Sequence, residues 1–150
     1  MTAFQLAQLN IARLRAPLDA PELADFVAAL PEINALADAA PGFVWRLQTE
    51  EGDATGIDAF GSDVIVNLSV WENLEALHGF VFRSAHSDVM RRRREWFERM
   101  HEAYLVLWWV PAGHRPTVDE AKDALRTMRR RGPCPEAFSF RSPFPAPTGT

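Results

Sequence analysis

The hydrophobic positions of the chain follow two periods, and the switches between them mark out its elements. A two-residue alternation runs through Phe4–Leu14 (FQLAQLNIARL), with Phe4, Leu6, Gln8 and Asn10 on one face and Ala7, Leu9 and Ile11 on the other. A second strand is predicted at Phe43–Leu47 and a fourth at Tyr104–Val110. The third, Asp63–Trp71, separates its residues most sharply. Val64, Val66, Leu68 and Val70 share one face, whereas Ile65, Asn67, Ser69 and Trp71 share the other.

The wider helical period fills the spaces between. Asp19-Ala20-Pro21-Glu22 opens a helix, with Pro21 suited to its first turn and Leu23, Phe26, Val27 and Leu30 as its apolar stripe. Pro31 lacks an N–H and is expected to kink or restart that helix, which runs to about Ala39 and ends at Pro41-Gly42. Two helical pieces, about Asn73–Phe82 and Ser84–Glu102, follow the third strand. Thr117-Val118-Asp119-Glu120 matches a capping box, and its helix ends with Arg129–Arg131 and Gly132. The tail AFSFRSPFPAPTGT is extended and proline-rich, with Phe138, Phe140 and Phe144 available to pin it down. The acidic, glycine-bearing stretch 49–62 is the longest loop, either a surface excursion or a mobile lid.

The order β-α-β-β-α-β, followed by a helix and tail, predicts an α+β, ferredoxin-like antiparallel sheet with helices on one face. It forms a single domain over 1–150, with a core of about 4–110 and a C-terminal helix and tail over 117–150. A sheet with helices on one face leaves the other bare, and the Val64–Val70 face is too apolar to stay in water. A second copy of the sheet is the simplest cover, so a homodimer forming an α/β barrel is expected.

Composition narrows the partners. The chain has 150 residues, 47% hydrophobic and 24% charged, ordinary proportions for a globular domain that needs no disulfide or metal to fold. One cysteine, Cys134, leaves no internal disulfide, and Met1 is followed by neither a charged n-region nor a long apolar core. A cytoplasmic location is expected, with no membrane partner. The net charge of −4 disfavours nucleic acid. Arg91–Arg94 lie among glutamates and read as solvated helix faces or an anion-binding patch. Five tryptophans and ten phenylalanines beside one tyrosine are the unusual feature, because aromatics both fill cores and wall flat ligands.

The first and third strands of this topology are central neighbours, so Gln8 and Asn10 fall beside Asn67 and Ser69. Buried amides without partners cost about 1–3 kcal/mol each, so the group is either a satisfied network or the polar part of a ligand pocket. In the helix SAHSDVMRRRREWFERMH, the spacing of Val89, Met90, Trp96, Phe97 and Met100 places His86 and Arg93 within the apolar sector. A buried guanidinium needs a carboxylate, carbonyls or an anionic ligand, so Arg93 has either a structural partner or a pocket role. His86 shares its stripe. No HxxxH, CxxC, HExxH, GxGxxG or GxSxG spacing occurs, and neither a metal nor a nucleotide cofactor is predicted.

The element order and NLSVWENLEALHGFVFRSAH resemble the dimeric α/β-barrel superfamily of antibiotic-biosynthesis and haem-degrading monooxygenases. Within it, PGFVWRL, HSDVMRRRREWF, LWWVPAGHRPT and AFSFRSPF look like a bacterial family of unknown function that spans nearly the whole chain. The resemblance implies that Asn67 and Trp71, four apart on a strand, hold a phenolic substrate, with Arg93 matching a helix arginine. It also offers Asn10 and His86 as counterparts of haem-site residues, but Phe80 stands where those relatives have tryptophan. The expected function is a cofactor-independent, monooxygenase-like enzyme for a flat aromatic or polyketide-like molecule. In it His86, Arg93 and Asn67 are the catalytic candidates, and Asn10, Trp71, Trp45, Trp108 and Trp109 the ligand-binding ones. The alternatives are a small-ligand or haem-binding dimer without turnover, and a structural dimer with no ligand.

Overall fold

The computed structural model describes residues 3–16, 20–47, 64–83, 93–98 and 104–146. Among them, four strands form one antiparallel sheet in the order β2-β3-β1-β4: β1 Phe4–Arg13, β2 Phe43–Arg46, β3 Val64–Trp71 and β4 Leu105–Pro111. Beta1 and β3 are central neighbours, which is the ferredoxin-like arrangement, and the fold is α+β. The helices are α1 Ala24–Ala39, α2 Leu74–Arg83, the single turn α3 Arg93–Trp96, and α4 Val118–Arg131.

Local chemistry sets most boundaries. A 3-10 turn, Pro21–Leu23, leads into α1 with Pro21 at its start. Helix α1 runs through Pro31 to Ala39 without restarting. Proline there frees the carbonyl of Val27, but Val27 and Pro31 are both exposed, so water can take that hydrogen bond. Helix α2 starts where Asn73 Oδ1 accepts from the Ala76 N–H at 2.8 Å. At α4, Thr117 Oγ1 accepts from the Glu120 N–H at 3.1 Å, which is half of the capping box. The Glu120 carboxylate turns away to the sheet instead, accepting from Trp108 Nε1 at 3.0 Å and meeting His114 Nε2 at 2.7 Å.

The expected helix over Ser84–Glu102 ends early. Only Arg93–Trp96 of its described residues are helical, and Phe97 then pairs with Leu14 in a β-bridge. The Glu98 N–H donates to Arg13 O at 2.8 Å and the Arg15 N–H to Trp96 O at 2.9 Å, so the chain is tied to the end of β1. Packing favours this exit: Trp96 is buried against Phe26, with ring centroids 5.4 Å apart, and Phe97 stands edge-on to the same ring at 5.0 Å.

Both faces of the sheet are covered within the chain. Val64, Val66, Leu68 and Val70 are buried in one cluster with Ala121 and Leu125 of α4 and with Cys134 and Ala137 beyond it. The face assigned from sequence to a second copy is thus occupied by the chain's own C-terminal helix, and a dimer sharing that face would require α4 to leave it. The opposite face meets α1, α2 and the tail. Phe138, fully buried, exchanges both backbone hydrogen bonds with Leu107 at 2.7 and 2.8 Å, and Trp109 Nε1 donates to Phe144 O at 2.9 Å. The tail therefore covers the outer edge of β4, which would otherwise present unpaired backbone groups.

Gly42 turns the chain from α1 into β2 with φ +81°, and a Cβ there would overlap the Cβ of Ala76 on α2. Gly79, inside α2, has open space around it. Gly42→Ala is expected to lose about 2–4 kcal/mol, from left-handed strain and overpacking together. Gly79→Ala should gain about 0.5–1 kcal/mol by helix propensity. Urea unfolding of the two variants checks the contrast, and shifts of the same sign would contradict the turn geometry.

Candidate functional site

Register places a row of polar side chains in the middle of the helix-facing side. Beta1 and β3 pair Gln8 with Ser69 and Asn10 with Asn67, and directly opposite residues of an antiparallel pair share a face. Gln8 Nε2 donates to Asn67 Oδ1 at 2.6 Å and to Ser69 Oγ at 2.8 Å. The indole N–H of Trp71 also donates to Ser69 Oγ, at 2.9 Å. Gln8, Ser69 and Trp71 are 5%, 6% and 1% exposed, whereas Asn67 is open to solvent and Asn10 half-buried.

This row borders a cavity of about 660 Å³ between the sheet and the helices, within the range of small-molecule sites. Its apolar walls come from Phe26, Leu30 and Ile33 of α1 and from Leu77, Phe80 and Val81 of α2. Ser139, Phe140 and Arg141 of the tail close another side. Trp71 is held between two rings, stacked on Phe80 at 5.1 Å and 29°, and edge-on to Phe43 at 5.4 Å and 79°. The one bordering cation with a described ion pair, Arg46, reaches Asp38 of α1, Nε to Oδ1 at 2.8 Å and Nη2 to Oδ2 at 3.3 Å.

Of the residues named from sequence, the structure brings Asn10, Asn67 and Trp71 to this cavity. Three tryptophans do not border it. Trp45 pairs with Val70 and Trp108 with Ala7, which puts both on the α4 face, where Trp108 bonds Glu120. Trp109 is on the cavity side of the sheet, but its ring is taken up by Phe138 and the Phe144 carbonyl. His86 lies outside the described residues, and Arg93 is described only as the first residue of α3. Phe43 and Phe140 were not anticipated as walls. Phe43 faces Trp71 in the β2–β3 register, and Leu77, Phe80 and Val81 follow one helical stripe, so part of this wall was encoded in spacing.

The described lining residues include no histidine or cysteine. Among the described residues no group of three His, Cys, Asp or Glu side chains could hold a metal ion, and no helix is long and apolar enough to cross a membrane. The polar groups on the sheet side of the cavity are amides and a hydroxyl.

Two solved structures were compared with the fold. NE2512, a protein of unknown function from Nitrosomonas europaea, is 17% identical, with 76% of this chain and 94% of that one aligned at a TM-score of 0.45. SnoaB, a cofactor-independent oxygenase from Streptomyces nogalater, is 15% identical, with 77% and 98% aligned and a TM-score of 0.45. No curated protein matches the chain. The family model described as a domain of unknown function (DUF3291) matches residues 5–150, nearly the whole length, and the chain belongs to that family.

Proposed function

We propose that the protein is a cofactor-independent, monooxygenase-like enzyme that takes a flat aromatic or polyketide-like molecule into the cavity between sheet and helices. The observation that carries this reading is the polar floor of an otherwise largely apolar cavity. Buried polar groups cost about 1–3 kcal/mol each when unpaired, and a ligand bearing oxygens offsets that cost. Phe80, stacked on Trp71, makes an aromatic wall beside this floor. The Asn10 amide has no hydrogen-bond partner among the described residues, and Asn67 offers its Nδ2 because Gln8 occupies its Oδ1. Both are suited to holding substrate oxygens. In this proposal Arg93 stabilises a developing phenolate and His86 moves the proton.

The chemistry requires only substrate and dioxygen. An anthrone gives up the two hydrogens of its central methylene, one oxygen atom becomes the new ring carbonyl, and the other leaves as water with those hydrogens. The substrate is the reductant, so neither flavin nor metal is needed. A second reading is favoured by one observation: amides and a hydroxyl at the described floor bind well but do not accept a proton at neutral pH. On that reading the cavity holds its ligand without turnover.

Oxygen uptake with an anthrone separates the two. Turnover is expected, reduced at least about tenfold in Asn67→Ala and in Arg93→Met, with circular dichroism unchanged. Full activity in both variants would contradict these roles, and recovery of unaltered ligand would leave binding alone. Dialysis against EDTA is expected to leave the rate unchanged, and a loss restored by a divalent metal would contradict cofactor independence.

A further inference from the structure

Gln8 was not among the residues given a role above, and its amide is oriented by what surrounds it. Both hydrogens of Nε2 are used, one on Asn67 Oδ1 and one on Ser69 Oγ. The backbone oxygen of Asn67 lies 3.4 Å from the same nitrogen, and unlike a side-chain amide it cannot exchange an acceptor for a donor. A rotated amide would set two carbonyl oxygens against each other. Gln8 Oε1 therefore remains the uncommitted atom of a residue that borders the cavity, and no donor among the described residues reaches it, though Gln8 is only 5% exposed. Ser69 Oγ accepts from Gln8 and from Trp71, so its own hydrogen is also without an acceptor among the described residues.

From this we infer that Gln8 is a specificity-determining residue of the cavity: its free carbonyl selects ligands that present a hydroxyl or N–H beside the Phe80–Trp71 wall. A leftover buried acceptor discriminates strongly, because a ligand without a donor leaves it unpaired. An amide carbonyl is also neutral, so it accepts a hydrogen bond without removing the proton, and it repels a carboxylate. The ligand class is a flat, uncharged molecule with a phenolic or enolic hydroxyl, or a ring N–H, at the end that meets the polar row of β1 and β3. Ser69, with its hydrogen free, is placed to donate back to the same hydroxyl oxygen. Trp71 positions Ser69 by the indole hydrogen bond, which joins the flat wall and the polar reader in one unit.

This inference rests on the ligand-binding part of the proposed function, and the test distinguishes the two. Quenching of tryptophan fluorescence measures the affinity of 2-anthrol, 2-methoxyanthracene and anthracene-2-carboxylate for the wild-type protein and for Gln8→Met. The wild type should prefer the hydroxyl over the methoxy compound by about tenfold, the size expected for one buried hydrogen bond, and bind the carboxylate most weakly. Gln8→Met should bring the hydroxyl and methoxy affinities within about twofold. Equal affinities in the wild type, tightest binding of the carboxylate, or a tenfold preference retained in Gln8→Met would each overturn the role of Gln8 while leaving the cavity as a binding site. Binding of none of the three would overturn the proposed function and this inference together. Should Gln8→Met fail to fold, the wild-type preference decides alone.

Discussion

Eight residue pairs join β1 to β3, from Leu6 with Trp71 to Arg13 with Val64, and every other feature of the protein depends on that register. It sets Gln8 against Ser69 and Asn10 against Asn67, so four polar side chains meet on one face. It also sets Ala7, Leu9 and Ile11 against Val70, Leu68 and Val66 on the other. A slip of one residue would send the valines to the cavity and the amides into the apolar cluster under α4. Burying those amides without partners costs about 1–3 kcal/mol each, which makes the slipped pairing unfavourable from both sides. The polar row thus specifies the fold as well as the cavity.

The two faces divide the work. The valine face is closed by α4, anchored at its start by the Glu120 carboxylate, which holds Trp108 and His114 together. That face is mainly apolar, with the Trp108–Glu120 hydrogen bond at its edge. The other face is covered less tightly, by α1, α2 and the tail, and the gap between them and the amide row is the cavity. Trp71 belongs to both the core and the wall: its ring is buried between Phe43 and Phe80 while its indole nitrogen holds Ser69. A residue fixed on three sides holds its neighbours in place.

Much of this was legible in the chain because alternation in strands is a strong signal. The division of Val64–Trp71 into a valine face and an Asn67–Ser69–Trp71 face follows from period two alone, and the central pairing with β1 follows from the element order. Other features depend on contacts that no period expresses. The adjacent pair Trp108-Trp109 must place one ring on each face, but which ring faces the cavity is set by the register of β4 on β1, with Ala7 opposite Trp108. Alternation also says that the valine face needs a cover without saying what supplies it. Ala121 and Leu125 of α4 supply it, and the return of that helix onto the sheet is a tertiary event. Helix periodicity past Trp96 failed for a similar reason, since Phe97 meets the Phe26 ring and bridges Leu14 at the end of β1.

The central claim is that the amide row is the polar end of a ligand site and not merely a satisfied part of the core. A crystal structure with 2-anthrol bound tests this most directly. The ring system should lie in the cavity beside Phe80 and Trp71, with its hydroxyl within hydrogen-bonding distance of Gln8 Oε1 and Ser69 Oγ. An empty cavity with the ligand elsewhere, or a ligand whose hydroxyl turns away from Gln8 toward Arg46, would contradict the account.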